Sequence, residues 1–252
     1  MPLQPGSAHR RFRSGARSRA LTRETNRLFG YLPDPDWRRW KEKLEFVELP
    51  RGLLLQDRNR PRSHVWFPAT AVVSLVCVLA GGQSIHTAVI GNEGLVGMPP
   101  VLGAIANPTR AQVSAGGHGY RMSAAEMHAE LRELPVLQIL LRYAVALMTQ
   151  ISQGAVCRRR HVPEEQLCRW LLSHLKETGD EIRVTHEQLG RLLGFPRKIL
   201  IEAVLKLQQA ELIRASRGRI RVLDCAALEL RCCECRSVIE REYQRLMGPA
   251  PH

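Results

Sequence analysis

The chain has 252 residues, enough for one large or two ordinary domains, each able to bury its own core. Its 37 lysine and arginine residues outnumber 24 acidic ones, and the net charge of +13 favours a polyanionic partner, nucleic acid or an anionic membrane surface. No run approaches the roughly 18 apolar residues of a membrane span, and the N-terminus lacks the apolar core of a secretory signal. The seven cysteines, concentrated late in the chain, do not indicate a disulfide framework. These features predict a reduced, cytoplasmic protein.

Residues 1–25 are rich in Arg, Ser, Gly and Pro, and we expect them to form a disordered basic tail. Its arginines could add non-specific affinity for DNA, although a plain extension is the favoured interpretation. They are Arg10, Arg11, Arg13, Arg17, Arg19 and Arg23. Two short helices are predicted next, over residues 26–33 and 34–44.

Short β-type runs punctuated by glycines follow, which is typical of a sandwich, jelly roll or barrel. They lie at residues 46–49, 52–55, 65–68, 71–78 and 86–90. A jelly roll also raises the alternative of a cupin-type metalloenzyme, with ligands drawn from His64, His86, His118 and Glu93. Strand metal sites usually need a His-x-His pair, which the sequence lacks, so this alternative is disfavoured.

Ser123 and Glu126 form a predicted capping box that opens a helix. A second helix is predicted over residues 136–158, with apolar residues recurring every three or four positions. This apolar stripe exceeds what one small jelly roll needs to cover itself. The helix is therefore either a partner-binding helix or an intrachain core helix. Residues 157–163 interrupt the helical pattern and are interpreted as a hinge.

The segment VTHEQLGRLLGFPRKILIEAVLKLQQAELI, residues 184–213, has the layout of a helix-turn-helix. Thr185 is a suitable N-cap, Gly194 a helix terminator and Pro196 a first-turn residue of the second helix. An ordinary helical hairpin is the alternative. The predicted buried face of the second helix comprises Ile199, Leu200, Ala203, Val204 and Leu207.

Residues 214–223, RASRGRIRVL, predict two short strands around a glycine turn. Such a hairpin after a helix-turn-helix is the wing of a winged helix. Arg217 and Arg219 at its tip suit contact with phosphate.

The segment GRLLGFPRKILIEAVLKLQQAELIRASRGRIRVLD, residues 190–224, resembles the DNA-binding segment of the Crp/Fnr family of bacterial transcription factors. A less specific resemblance to the same family extends over residues 26–230. It implies an α+β fold with an N-terminal β jelly roll like a cyclic-nucleotide-binding domain, a long dimerisation helix and a C-terminal winged helix-turn-helix. The implied divisions fall at 26–130, 131–160, 161–230 and 231–252.

The resemblance also implies function. The chain would be a homodimeric regulator rather than an enzyme, with double-stranded DNA, a second copy and RNA polymerase as partners and no membrane. It would bind a pseudo-palindromic operator through a recognition helix at 196–209, with the two recognition helices about 34 Å apart. Whether it activates or represses stays open.

Residue by residue, the family's base contacts fall on this recognition helix. Pro196 stands where the family commonly has a Ser or Thr cap, and Arg197 matches a guanine-reading arginine. Lys198 and Glu202 carry charges exchanged relative to many members, so the operator is expected to differ. As an alternative, these two side chains pair with each other on the helix surface. Ile201, which lies off the predicted buried face, and Thr185 at the start of the first helix are also expected to contact DNA.

Residues 89–97 resemble the start of the family's phosphate-binding cassette, with Glu93 and Gly94 in it. Thr109 and Arg110 stand where nucleotide-binding members have an Arg-Ser pair that grips the cyclic phosphate. A one-residue slip would still put Ala111 in place of the serine. Cyclic-nucleotide binding is therefore not expected, although a true cyclic-nucleotide-dependent regulator stays open as an alternative.

The closing helix is predicted from residue 224 to 242, and four cysteines lie in or near it. They are Cys225, Cys232, Cys233 and Cys235. These thiols could bind zinc or an iron–sulfur cluster, or form a redox disulfide. Inert helical thiols are the favoured interpretation because the paired Cys-x-x-Cys layout is missing, so no metal or other cofactor is expected.

Overall fold

A computed structural model describes residues 21–57, 63–80, 84–98, 109–178 and 180–249 of the chain. Of the predicted tail arginines, only Arg23 lies within these residues. A single 3₁₀ turn, Arg23–Thr25, comes before helices α1 (Arg27–Gly30) and α2 (Asp34–Lys43). Arg23 donates to the Leu32 carbonyl oxygen and pairs with Asp34. Residues 21–25 are therefore ordered, and the predicted disordered tail extends too far.

Seven strands form the two antiparallel sheets of the N-terminal jelly roll. They are β1 (Glu45–Leu49), β2 (Leu54–Gln56), β3 (His64–Pro68), β4 (Val72–Val78), β5 (Ser84–Ile90), β6 (Thr109–Ala115) and β7 (Gly117–Ser123). One sheet has the order β1-β7-β3 and the other β2-β6-β4-β5. Residues of both sheets point into a shared apolar core, as in Leu49 of one sheet and Val73 and Val113 of the other. Four of the five predicted runs are confirmed as strands, and the run at 52–55 only in part, since Gly52 lies in a turn and β2 starts at Leu54; β6 and β7 are additional.

An aromatic cluster joins the N-terminal helices to the three-stranded sheet. The rings of Phe29 and Phe67 lie 5.1 Å apart, and those of Trp40 and Phe67 lie 5.5 Å apart. All three side chains are fully buried, and each stabilises the fold by about 2–3 kcal/mol through apolar burial. Helix α3 (Ala124–Glu130) starts at the predicted capping box and ends at a buried carboxylate, Glu130. Lys43 forms an ion pair with that carboxylate at 2.5 Å.

The long helix α4 (Leu134–Arg160) has two different faces. Its inner face is buried at Val136, Leu140, Tyr143, Ala146, Gly154 and Cys157; the first three enter the core of the N-terminal domain, whereas Cys157 packs against Cys233 and Cys235. Gln150 and Arg158 donate to the carbonyl oxygens of Val89 and His86 and so cover the exposed edge of β5. Its outer face leaves a row of apolar side chains in solvent, which we call the outer stripe. It comprises Leu134, Leu141, Val145, Met148 and Val156.

By length and composition, α4 is the one described helix that could cross a membrane. The apolar residues of its packed inner face account for part of that apolar character, and its side chains also make polar contacts with β5. Such a helix is weak support for a membrane span, because core helices of water-soluble proteins pass the same test.

The C-terminal domain begins at α5 (Pro163–Thr178), after a break at residues 161–162. The break is shorter than the predicted hinge at 157–163, because residues 157–160 continue α4. Its other elements are β8 (Glu181–Ile182), α6 (His186–Leu193), α7 (Arg197–Gln209), β9 (Ile213–Ser216), β10 (Arg219–Val222) and α8 (Cys225–Leu230). The strands form a sheet of order β8-β10-β9. A separate apolar core, centred on Leu171, Leu189 and Leu200, holds these elements together.

The C-terminal residues depart from the predicted single closing helix. Helix α8 stops at Leu230, and a second helix, α9 (Cys235–Met247), starts after a turn. Helix α9 runs back along α4, and Met247 enters the aromatic cluster of the N-terminal domain. The last turn of α9 therefore lies against the N-terminal domain.

Candidate nucleic-acid interface

The first helix of the helix-turn-helix, α6, starts as its sequence predicts. The Thr185 hydroxyl accepts from the Gln188 backbone N–H, and the Gln188 side chain accepts from the Thr185 N–H, both at 3.1 Å. This reciprocal capping box satisfies two backbone donors that the first turn would otherwise leave free. Thr185 thus has a structural role in setting the helix start.

The turn between the helices depends on two glycines. Gly194 ends α6 with a φ of 77°, a conformation that a side chain would strain. Gly190 lies where a Cβ atom would stand 3.1 Å from the Phe195 carbonyl oxygen, so its lack of a side chain lets the turn fold back closely. Pro196 then serves as the N-cap of α7, one position before the first-turn place predicted for it.

Helix α7 presents a polar surface at its N-terminal end. Arg197, Lys198 and Glu202 are exposed and Ile201 is half-buried; we call these four residues the recognition surface. Among the described residues, Arg197, Lys198 and Glu202 take part in no ion pair, so the alternative Lys198–Glu202 pair does not form. Successive positions 197/201 and 198/202 are one helical turn apart, which places them along one side.

The opposite side of α7 is buried largely as predicted. Leu200, Ala203, Val204 and Leu207 enter the core of the C-terminal domain. Ile199 does not, since 39% of its surface is exposed, and the prediction for this residue is wrong. Ile199 directly precedes Leu200 and so points about 100° away from it, at the margin of the buried face.

The predicted wing is present as the β9–β10 hairpin, turned at Gly218 with a φ of 77°. Arg217 lies at its tip, exposed and outside every ion pair of the described residues. Arg219 is also exposed but pairs with Glu181 on β8 at 3.2 Å. The free energy of contacting a phosphate should therefore be less favourable for Arg219 than for Arg217, because only Arg219 must give up an ion pair.

The predicted effector residues Glu93 and Gly94 lie in a turn after β5, residues 91–95, which we call the Glu93 turn. A Glu93 carboxylate oxygen accepts from the Gly91 backbone N–H at 2.9 Å. The Tyr243 hydroxyl, from α9, donates to the Glu93 carbonyl oxygen at 2.5 Å. The Tyr143 hydroxyl, from α4, donates to the Leu95 carbonyl oxygen at 3.1 Å.

Tyr143 and Tyr243 fill the space on the inner side of this turn. A Cβ atom on Gly94 would lie only 2.2 Å from the Tyr143 hydroxyl. Burial, with a smaller contribution from Glu93, raises the pKa of both tyrosines, so both hydroxyls stay protonated as donors.

Thr109 and Arg110 lie on β6, away from the Glu93 turn. Arg110 is paired with Val76 in the strand register, whereas Ile90, the last residue before the turn, is paired with Val73. Three residues of β4, about 10 Å, thus separate the two halves of the predicted pocket. The Arg110 guanidinium instead donates to Asp57 from two nitrogens, both at 3.2 Å.

Of the four predicted thiols, the structure brings Cys233 and Cys235 together in one group of possible ligands, and Cys232 lies beside Cys233 without joining that group. Cys225 is exposed, and Cys232 packs at the edge of the C-terminal core. Two unpredicted residues from the end of α4, Cys157 and His161, complete a compact group. The i, i+4 spacing of Cys157 and His161 at a helix end, together with a Cys-x-Cys pair, is the sequence signal that could have indicated it.

A cleft of about 1020 Å³ separates the four-stranded sheet from the helix-turn-helix, and Pro196 and Arg197 line it on one side. Arg51 bridges it by donating to the Gln188 side chain at 2.9 Å. Two buried histidines, His86 on β5 and His174 on α5, lie at this junction. Burial lowers the pKa of His174 to about 4, and burial with the neighbouring His174 and two arginines lowers that of His86.

Comparison with known proteins supports this architecture. Residues 165–231 match the family model of the Crp-like helix-turn-helix domain. No curated protein matches the sequence. A protein from Eubacterium rectale, described as a transcriptional regulator of the Crp/Fnr family, shares 15% identity and a TM-score of 0.65 over 81% of this chain and 96% of its own.

Two further solved structures are similar. FixK2 from Bradyrhizobium japonicum has 12% identity and a TM-score of 0.63, covering 75% of this chain and 98% of its own. The c-di-GMP-responsive global regulator CLP of Xanthomonas campestris has 14% identity and a TM-score of 0.61, covering 76% and 100%. The chain thus has the fold of the Crp/Fnr transcription regulators, with a Crp-like helix-turn-helix domain at residues 165–231.

Proposed function

We propose that this protein is a homodimeric, sequence-specific transcription regulator that reads a pseudo-palindromic operator through α7. The observation that carries the proposal is the recognition surface, whose charged side chains are exposed and unpaired at the N-terminal end of the second helix of a helix-turn-helix. That end of the helix is the part that meets base edges in the major groove. The planar fork of Arg197 suits O6 and N7 of guanine.

The wing supports the same orientation. Arg217 at its tip is free to contact the phosphate backbone beside the groove that α7 occupies. The net charge of +13 adds long-range attraction to DNA, which favours binding to any sequence. In this proposal, phosphate contacts position the domain and the recognition surface selects the sequence.

Dimerisation is proposed from the outer stripe of α4. Leu134, Leu141, Val145 and Met148 follow one another at intervals of seven, four and three residues, which is the heptad pattern of a coiled-coil seam. Met148 is 66% exposed and Leu134 is 63% exposed, so the stripe is unpaired within one chain. Two α4 helices packed along this stripe would give the two-fold axis that a pseudo-palindromic operator requires.

The proposed regulator does not depend on a cyclic nucleotide. Glu93 is bonded to its own turn, and Arg110 is held by Asp57 at a distance from it. These contacts support the loss of the phosphate clamp. We further propose that the protein acts in the cytoplasm, contacts RNA polymerase and is not an enzyme, as expected for a regulator with this fold.

The test is selection of bound DNA from a random duplex pool by the full-length protein at physiological salt, with and without cyclic AMP. The proposal predicts an enriched two-fold-symmetric site with half-sites centred one helical turn apart, the same in both conditions. An enriched site that appears only with cyclic AMP would overturn the loss of the clamp. DNA binding without any enriched sequence would overturn the proposed function itself.

A further inference from the structure

We infer that Cys157, His161, Cys233 and Cys235 form a mononuclear zinc site that fastens the C-terminal helix α9 to the end of α4. The four ligand atoms of this Cys/His cluster all lie within 4.8 Å of one another. The Cys157 and Cys233 sulfurs are 3.6 Å apart, and the Cys235 sulfur is 3.4 Å from His161 Nδ1. The three cysteines are free thiols and form no disulfide bond.

These separations fit one tetrahedral ion. Zinc binds thiolate sulfur at about 2.3 Å and imidazole nitrogen at about 2.0–2.1 Å. A tetrahedron with those bond lengths has edges of about 3.8 Å between two sulfurs and about 3.5 Å between sulfur and nitrogen. Both observed contacts lie within a few tenths of an ångström of these edges. The other pairs all lie within 4.8 Å, so they would close by at most about 1 Å when the ion binds.

The surroundings of the ligands also fit a metal site. Glu234 contacts His161 Nε2 at 3.1 Å, an arrangement that holds the ring with Nδ1 directed at the sulfurs. The Gln153 side-chain amide donates to the Cys235 sulfur at 3.3 Å, which suits a thiolate. Cys157 and Cys235 are fully buried and Cys233 is 6% exposed, so the cluster is shielded from bulk water.

The ligand set points to zinc and to a structural role. Three thiolates and one imidazole are a common set for structural zinc, whereas iron–sulfur clusters usually take four cysteines, or two cysteines and two histidines. All four positions are filled by the protein, so no position is left for a substrate or catalytic water. A Cys157–Cys233 disulfide would use only two of the four groups and would need the sulfurs to close from 3.6 Å to about 2.05 Å.

The location gives the site a consequence. Cys157 and His161 lie at the end of α4, just before the α5 start at Pro163, while Cys233 and Cys235 lie at the start of α9. An ion there would fix the hinge between the two domains and hold α9 against α4. The other end of α9 carries Tyr243, which contacts the Glu93 turn.

The experiment is metal analysis of the full-length protein, purified under reducing conditions without added metal, together with its thermal unfolding. We expect about one zinc per chain. Cys157→Ser and Cys235→Ser should each lower the zinc content at least fivefold, whereas the matched control Cys225→Ser, at an exposed thiol outside the cluster, should keep it. Chelator treatment of the wild type should lower the unfolding temperature, and zinc should restore it.

A second readout avoids any variant that fails to fold. Cobalt(II) added to the chelated wild type should produce the intense absorption of tetrahedral thiolate ligation, and one equivalent of zinc should abolish it. Absence of zinc together with absence of this cobalt spectrum would overturn the inference. Zinc retained equally by Cys157→Ser and Cys225→Ser would identify an adventitious ion only. A Cys157–Cys233 disulfide in the freshly purified protein would overturn it in favour of a redox pair.

Discussion

The recognition surface and the Glu93 turn both carry predicted site residues, but they differ in what covers them. At the recognition surface, Arg197 and Lys198 are exposed and contact no counter-charge of the described chain. In the Glu93 turn, the polar groups are bonded within the chain and two tyrosines fill the space beside them. A surface built for an external partner leaves its polar groups unpaired, whereas a turn that has become structural satisfies them internally.

This contrast has a measurable consequence. Substitutions on outward surfaces should change binding while the free energy of unfolding stays constant, because solvent already surrounds those side chains. Substitutions around the Glu93 turn should change the free energy of unfolding.

The largest effect is expected for Met148→Glu in the outer stripe. Two glutamates facing each other across a dimer seam would repel and be desolvated, so the dimer should dissociate and operator affinity should fall at least about a hundredfold. Sedimentation and operator titration measure the two effects. Leu230→Glu, at another exposed apolar residue, is the matched control and should change neither. Normal dimerisation by Met148→Glu would place the dimer seam elsewhere.

The second effect concerns acid stability at the junction of the two domains. The folded-state pKa of His174, about 4, lies below its ordinary value near 6.5, so the unfolded chain takes up a proton first as the pH falls. The contribution of neutral His174 to the free energy of unfolding should therefore be fully present above pH 6.5. It should fall by about 3 kcal/mol as the pH drops from 6.5 to 4. His86 should add a loss of the same sign.

Urea unfolding at a series of pH values measures that decline. His174→Gln should flatten the slope between pH 6.5 and 4, because the group that titrates is gone. His128→Gln, at an exposed position on α3, should retain the wild-type slope. Equal slopes in all three proteins would show that His174 is not the group responsible.

A third prediction probes the Glu93 turn directly. Gly94→Ala would place a Cβ atom 2.2 Å from the buried Tyr143 hydroxyl, so the packing must shift and the free energy of unfolding should fall by about 2 kcal/mol. Gly154→Ala is the control, since its Cβ atom would make only an ordinary contact, 3.5 Å from the Thr87 carbonyl oxygen. An undiminished free energy of unfolding for Gly94→Ala would mean that the turn retains room for a ligand.

The smallest expected effect distinguishes the two wing arginines. Arg217→Ala should lower the salt dependence of DNA binding by about one phosphate contact. Arg219→Ala should lower it less, because Arg219 must first leave Glu181. Salt titrations of both variants on one duplex make the comparison. The reverse order would show that the Glu181 ion pair does not restrain Arg219.

The helix-turn-helix and wing could be predicted from the sequence because caps and turn glycines are local signals. Thr185, Gly194 and Gly218 act within a few residues of themselves, so their roles can be recognised without knowledge of the tertiary structure. Short β-type runs punctuated by glycines likewise predicted the jelly roll, apart from β6 and β7. Ile199 lies at the margin of the buried face by helical spacing, and spacing alone does not decide how far a residue at that margin is covered.

Contacts between distant parts of the chain were beyond sequence reasoning. Cys157 and Cys233 are 76 positions apart, and no periodicity connects them. The return of α9 to α4 brings them together, and the same return places Tyr243 on the Glu93 turn. The predicted set of four late cysteines followed their nearness in sequence, which explains why it included Cys225 and Cys232, which are not in the group, and missed Cys157 and His161, which are.

The most direct test of the central claim is the base preference of Arg197→Ala, measured position by position on the operator that random-pool selection returns. If Arg197 reads a guanine, Arg197→Ala should lose about 2 kcal/mol of discrimination at one base pair of each half-site, with little change in non-specific affinity. Arg214→Ala, at an exposed arginine of β9, is the control and should leave base preference intact. A uniform loss on all sequences by Arg197→Ala would contradict the account, because it would show that Arg197 contacts phosphate rather than a base.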